Sequence, residues 1–355
     1  MRNKTTACLV PIALIVATSG CGAGHKVVAA RATPRPRPVA PAARAAPVAP
    51  AAPRRARPRP LVALVTAQTK DQVLAVDLPS GHVAGRVIIP GEPDYVAAAP
   101  SSFGDVAVIV SASSGRVTLL DRSSLRAVKV FGGFSAPHIP AISPDGNYAY
   151  VTDDTTGRVT VIGLDKRRIL ARPMVGAGAH HLAFSSDWRQ VWIALGQAAS
   201  TIAILSGPAG TPRRPHVLGR WDPGFLAHDL LFSPDATRVW ITSAETSRVG
   251  VFNATTHRLL FTVAAGAPPQ HLVFAGRFAY ITSGYGSLIE KVRIDTGRVV
   301  RRVPAPYGSF DLDAAEGYVV TASLLRGTLA IYDRNLRLLH VRQLAPSAED
   351  VAIVR

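Results

Sequence analysis

Histidine and aspartate recur at fixed offsets along this chain. Counting five residues back from the serine of each Ser-x-Asp tripeptide, or its equivalent, gives one column: Asp94, His138, His180, His228, Gln270, Phe310 and Glu349. The next residue gives a second column: Tyr95, Ile139, His181, Asp229, His271, Asp311 and Asp350. Imidazole with carboxylate suits zinc or a similar divalent ion. His181, Asp229, His271 and Asp311 are the candidate metal set, and His138, His180, His228 and Asp350 complete the candidate ligand-binding residues. Spacing alone favours a plainer reading, a hydrated polar ring whose side chains satisfy exposed backbone ends. Neighbours along a strand point to opposite sides, so His180 and His181 are expected to face different partners. No cofactor is demanded by these columns, a divalent metal is compatible with them, and no catalytic residue is assigned. The chain has no GxxxxGK[ST] loop and no helix-opening GxGxxG, so its glycines read as turn residues.

A repeat sets these offsets. The phrase Tyr150–Asp165, "YVTDDTTGRVTVIGLD", returns as "WITSAETSRVGVFN" (Trp240–Asn253), "YITSGYGSLIEKVRID" (Tyr280–Asp295) and "VVTASLLRGTLAIYD" (Val319–Asp333). Earlier copies are "LVTAQTKDQVLAVD" (Leu64–Asp77) and "VIVSASSGRVTLLD" (Val108–Asp121), and the weakest is "WIALGQAASTIAIL" (Trp192–Leu205). The anchors Thr66, Ser111, Thr152, Ala194, Thr242, Thr282 and Thr321 are 45, 41, 42, 48, 40 and 39 residues apart. Short alternating apolar runs at such a period predict blades of four strands. The fold class is therefore all-β, a seven-bladed β-propeller over residues 61–355. The first unit opens without an inner strand, while the last residues, "EDVAIVR", have an inner strand's pattern and no partner after them. The C-terminal strand is expected to complete the first blade and close the ring.

The run Tyr150-Val151-Thr152-Asp153, with "SPDG" at Ser143–Gly146 and its copies at Ser233–Ala236 and Ser185–Trp188, resembles the YVTN-repeat, lactonase-like seven-bladed propellers. The resemblance covers Leu61–Arg355 and is specific for the fold. It implies inner strands around a channel, with both columns at its upper mouth beside the D–A and B–C loops. On that face Trp221, Phe225, Tyr285 and Tyr307 offer an apolar or sugar-stacking rim, or Trp221 packs between blades. Arg116, Arg158 and Arg248 share one B–C position, where a solvated surface is the simpler reading. The family hosts both binding proteins and enzymes.

The first 60 residues are of another kind. Arg2 and Lys4 precede an apolar run, Ala7–Ala17, and then "TSGC". This reads as a lipoprotein-type signal peptide over residues 1–20, with Cys21 the lipid-bearing first mature residue. Cys8 and Cys21 are the two cysteines of the 355-residue chain, so the mature protein has no internal disulfide. Residues 21–60 form a disordered Ala/Pro/Arg tether. Residues 1–60 carry 11 of the net +17 charges, which leaves the propeller mildly basic and argues against specific nucleic-acid binding. The expected protein is secreted and lipid-anchored at the cell envelope. It acts as a binding or scaffold module through its upper channel face, for a protein, an envelope glycan or a small ligand. The alternative is a hydrolase, lactonase-like or metal-assisted, at the same mouth. A redox role would need another subunit, since no CxxCH is present.

Overall fold

The structure, a computed structural model, describes residues 61–354 other than 102–103, 197–198 and 211. The signal peptide, Cys21 and the tether lie outside the described residues. The described chain forms seven four-stranded antiparallel sheets, the blades of a propeller. Blade 1 holds Val62–Ala67, Gln72–Asp77 and Val83–Ile88, and its inner strand is Val351–Val354 from the C-terminal end. That strand pairs with the first one in register, Val62 opposite Val354 and Val65 opposite Val351. The inner strands of blades 2 to 7 are Tyr95–Ser101, Pro137–Ile142, Leu182–Phe184, Ala227–Phe232, Leu272–Ala275 and Leu312–Ala315.

The sequence texture of each strand follows from its place in the blade. The second and third strands are covered on both faces by neighbouring blades. They therefore read as nearly continuous apolar runs, such as the buried stretch Val191–Ala194. Outer strands face solvent on one side and alternate, as Val217–Trp221 does. The core consists of seven apolar clusters, each straddling one joint between successive blades. Trp192 and Trp240 fill the joints on either side of blade 5 and are fully buried. Among the described residues, no helix is long and apolar enough to cross a membrane.

The conserved-looking phrases of the repeat have distinct mechanical roles. The Ser-x-Asp tripeptides close the turns between first and second strands. Ser143, Ser185 and Ser233 donate to Asp145, Asp187 and Asp235 at 2.5, 2.6 and 2.5 Å. The anchor threonines latch one blade to the next. Thr66 donates to the carbonyl of Asp94 (2.7 Å), Thr152 to that of His180 (2.6 Å) and Thr242 to that of Gln270 (3.0 Å), while Thr282 donates to that of Phe310. Each acceptor is 28 residues further on and belongs to the first of the two polar columns. The residue that defines the repeat thus also holds the site backbone. Thr321 departs from this pattern and donates to Asp311 at 2.5 Å.

Candidate metal centre

Five histidines from four consecutive blades meet where the inner strands of blades 3 to 6 begin. His138 stacks on His180 with ring centroids 4.0 Å apart. His181 lies among the other four, 5.4 Å from His138, 4.5 Å from His180, and 4.6 Å from both His228 and His271. Ligand atoms of His138, His180 and His181 all lie within 4.8 Å of one another, and so do those of His181, His228 and His271.

Local backbone irregularity aims these rings together. His180 and His181 precede the strand Leu182–Phe184, so strand alternation does not govern them. Both join the same cluster, contrary to the expectation that they face different partners. His138 and His228 lie where register shifts interrupt pairing, between Pro137 and Pro140 and between Ala227 and Leu230. Such bulges re-aim side chains beside functional sites.

Two of the histidines are braced by carboxylates. Nδ1 of His180 is 2.9 Å from Asp154, and Nδ1 of His271 is 2.9 Å from Asp311 and 3.9 Å from Asp229. Bracing at Nδ1 fixes the ring and leaves Nε2 as the coordinating atom. Burial pushes His138, His181 and His228 well below the ordinary imidazole range, and neighbouring imidazoles add to the effect, so these rings are neutral. Burial acts the same way on His271, but Asp311 overcomes it and lifts that ring to about 9.

His181 is different again. It is 2% exposed, and neither ring nitrogen has a hydrogen-bond partner among the described residues. A buried polar group without a partner costs about 1–3 kcal/mol.

Asp229 and Asp350 of the second column do other work, and so does Asp313, which lies two residues beyond that column. Asp229 accepts from the backbone N–H of Leu230 (2.8 Å) and of Leu272 in the next blade (3.0 Å). Asp350 accepts from Val96 (2.7 Å) and Val351 (2.6 Å), and Asp313 from Ile353 and Ala314 (2.7 Å each). These carboxylates tie inner strands together, as side chains satisfying backbone ends would. Of the quartet His181, Asp229, His271 and Asp311, the structure brings His271 against both aspartates. The partners it gives His181 are imidazoles. Sequence reasoning missed Asp154, whose signal was the doubled aspartate after Tyr150-Val151-Thr152.

The opposite side of the mouth is acidic. Gln68 donates to both Asp94 and Glu349. Tyr95 joins the two halves: its ring lies 4.4 Å from that of His138, and its hydroxyl bonds Glu349. Burial raises Asp94 and, more strongly, Asp350. Burial, then the charges of Asp94 and Asp311, lift Glu349 to about 8, against the Tyr95 hydrogen bond and His271. Gln68 donates to the same carboxylate, and Asp350 adjoins it in sequence. A raised carboxyl binds its proton more tightly when folded. The contribution of Glu349 to stability should therefore fall as pH rises from about 4.5 towards 8. Glu349→Gln is expected to flatten this decline and to stabilise the fold at pH 8.5 by on the order of 2 kcal/mol. Urea unfolding at pH 5 and 8.5 checks this, and an unchanged pH dependence in the variant refutes it.

On the rim, Trp221 lies in the outer strand of blade 4, against Trp192 and Phe252 at 5.6 and 4.9 Å. Phe225 is buried under Arg248, 5.0 Å from its ring. Tyr285 and Tyr307 remain open, 65% and 44% exposed, with ring centroids 6.0 Å apart. Arg116 and Arg158 are exposed, and Arg158 donates to the carbonyl of Arg172 at 2.7 Å.

A family model for the cytochrome D1 heme domain matches residues 101–207, a stretch that includes His138, His180 and His181. No curated protein matches the chain. Among solved structures, the chain is similar to dihydro-heme d1 dehydrogenase NirN in complex with DHE. The identity is 16% and the TM-score 0.61, over 84% of this chain and 66% of that one, just under two thirds of its length. It is also similar to the Pseudomonas aeruginosa periplasmic gluconolactonase PpgL, at 19% identity and a TM-score of 0.68, over 83% and 99% of the two chains. Apo AztD from Citrobacter koseri matches at 12% identity and a TM-score of 0.64, over 83% and 98%. At such identities these likenesses show the shared propeller fold alone.

Proposed function

We propose that this protein is an envelope-anchored, extracytoplasmic binding module whose channel mouth takes up a transition-metal ion through histidine. One observation carries the reading: His181 is buried with both ring nitrogens unpartnered, inside a shell of four other imidazoles. Imidazole donors suit zinc, copper, nickel or iron. An ion would supply the partner that His181 lacks, and carboxylate braces such as those on His180 and His271 orient histidine ligands.

The full chain, stripped with chelator and titrated with zinc, is expected to retain at least one ion. His181→Ala should weaken binding by about a hundredfold, taking removal of a ligand at the upper end of what loss of its outer support costs. His216→Ala, in the turn below, should leave it unchanged. A chain that retains no zinc, copper or nickel overturns the reading. Anchoring is tested separately. Cys21→Ala should release the protein into the medium, and unchanged membrane retention refutes lipidation.

A second reading follows from the heme-domain match, because the matched stretch contains three of the five histidines. The donor set fits heme iron, and such a group would supply one-electron chemistry. His180, held by Asp154, is the residue that would hold it. The 4.0 Å stacking of His138 on His180 leaves no gap for a planar ring between those two, so a bare ion fits the cluster better. Hemin added in the same titration discriminates: a Soret shift abolished by His180→Ala would favour the tetrapyrrole. The hydrolase alternative draws on likeness to the gluconolactonase, and turnover of lactones by the metal-loaded chain would support it.

A further inference from the structure

The geometry points to a two-ion centre in which His181 bridges, presenting one ring nitrogen to each ion. This rests on the metal-binding reading above and adds how many ions the site holds and how they are joined. His181 belongs to both histidine trios, and the ligand atoms of each trio lie within 4.8 Å of one another. The other four rings fall into two pairs around it. His138 and His180 stack at 4.0 Å, and His228 and His271 meet at 5.4 Å.

The pairs have the same composition. Each has one ring braced at Nδ1 by a carboxylate at 2.9 Å, His180 by Asp154 and His271 by Asp311. Each has one ring set in a strand irregularity, His138 and His228. The shared ring has two unpartnered nitrogens, Nδ1 and Nε2, one on each side of Cε1. One ion would satisfy only one of them, and a second satisfies the other. A neutral imidazole carries one N–H, so binding the second ion releases that proton to solvent and leaves His181 as a bridging imidazolate. His271 likewise gives up its Nε2 proton to solvent and keeps Nδ1–H on Asp311. Two ions so bridged stand roughly 6 Å apart, from two metal–nitrogen bonds of about 2 Å and the ring between them. The three ligands on each ion leave a coordination position open on each.

Copper(II) is the probe. The full-length chain is stripped, loaded with excess copper, desalted, and analysed for copper content and for integrated electron paramagnetic resonance intensity. Two coppers per chain are expected, with an intensity well below two spins, because an imidazolate bridge couples the pair. His228→Gln should hold one copper at full intensity. A native chain holding one copper at full intensity overturns the two-ion centre while the metal-binding reading stands. Two coppers with the intensity of two independent spins overturn the bridge. No bound copper, zinc or nickel overturns both. Circular dichroism monitors folding of the variant. If His228→Gln fails to fold, the ratio of intensity to copper in the native chain decides by itself.

Discussion

Removing residues 350–355 is expected to abolish the stable propeller. The inner strand of blade 1 is lost with them, and with it four paired positions against Val62–Val65. Val351, Ala352 and Val354 are buried and contribute to the clusters on both sides of blade 1. Asp350 and Ile353 also tie this strand to blades 2 and 7, at Val96 and Asp313. Burial of a valine is worth about 1.5–3 kcal/mol and each hydrogen bond about 1. The sum is on the order of 10 kcal/mol, comparable to the entire stability of an ordinary domain. The strand Val62–Ala67 would then present an open edge, which invites association with other chains. The expected result is aggregation, or a thermal transition lowered by more than 15 °C. A truncated chain that melts with the full one shows that closure does not depend on this strand.

The second large effect is at Gly157. This residue ends the loop between the second and third strands of blade 3, and the loop that delivers His180 and His181 lies directly on it. Gly157 has φ +63°, and a Cβ there would lie 2.4 Å from the carbonyl oxygen of Gly176 and 2.9 Å from the nitrogen of Ala177. Its own carbonyl accepts from Val175 at 2.8 Å and Gly176 at 3.1 Å. The same short loop carries Asp154, the brace on His180, whose carbonyl accepts from Gly178 at 3.0 Å. Gly157→Ala therefore strains the backbone and pushes the histidine loop off its seat. We expect a loss of about 3 kcal/mol and a metal affinity lowered at least tenfold, the scale at which outer support of a ligand acts. Urea unfolding and zinc titration measure the two effects. Gly219→Ala is the control, since it lies on an outer strand with nothing within 4 Å of the added carbon. If the two variants behave alike, the loop does not depend on Gly157. Gly327 repeats the arrangement before Glu349 and Asp350, where the added carbon would meet the Ala345 carbonyl at 1.7 Å.

The fold was legible because a period near 42 residues admits few architectures, and the unpaired C-terminal strand had one place to go. The columns were legible because equivalent positions in seven blades face one channel. Orientation was not legible. Alternation applies inside a strand, whereas His180 and His181 lie just before one, and His138 and His228 lie in register shifts that no propensity announces. The division of labour between the two residue types was equally hidden. Asp229 and Asp350 have backbone N–H groups within reach and are consumed by them, while His181 has none. Which polar group finds a backbone partner depends on packing between blades, and spacing along the chain does not record it.

The weakest repeat copy has a mechanical consequence. Four anchor threonines hold the backbone of the next blade through their hydroxyls. At the equivalent place before blade 5 stands Ala194, which has no hydroxyl to offer. The carbonyl of His228 is therefore not clamped by its neighbour, and His228 lies in an irregular stretch besides. His180, on the other side of the cluster, is clamped at 2.6 Å. On the far side Gln270, the neighbour of His271, is clamped by Thr242 at 3.0 Å. Between these two clamps His228 has the freedom to adjust to an entering ion, so blade 5 is where the histidine shell can yield.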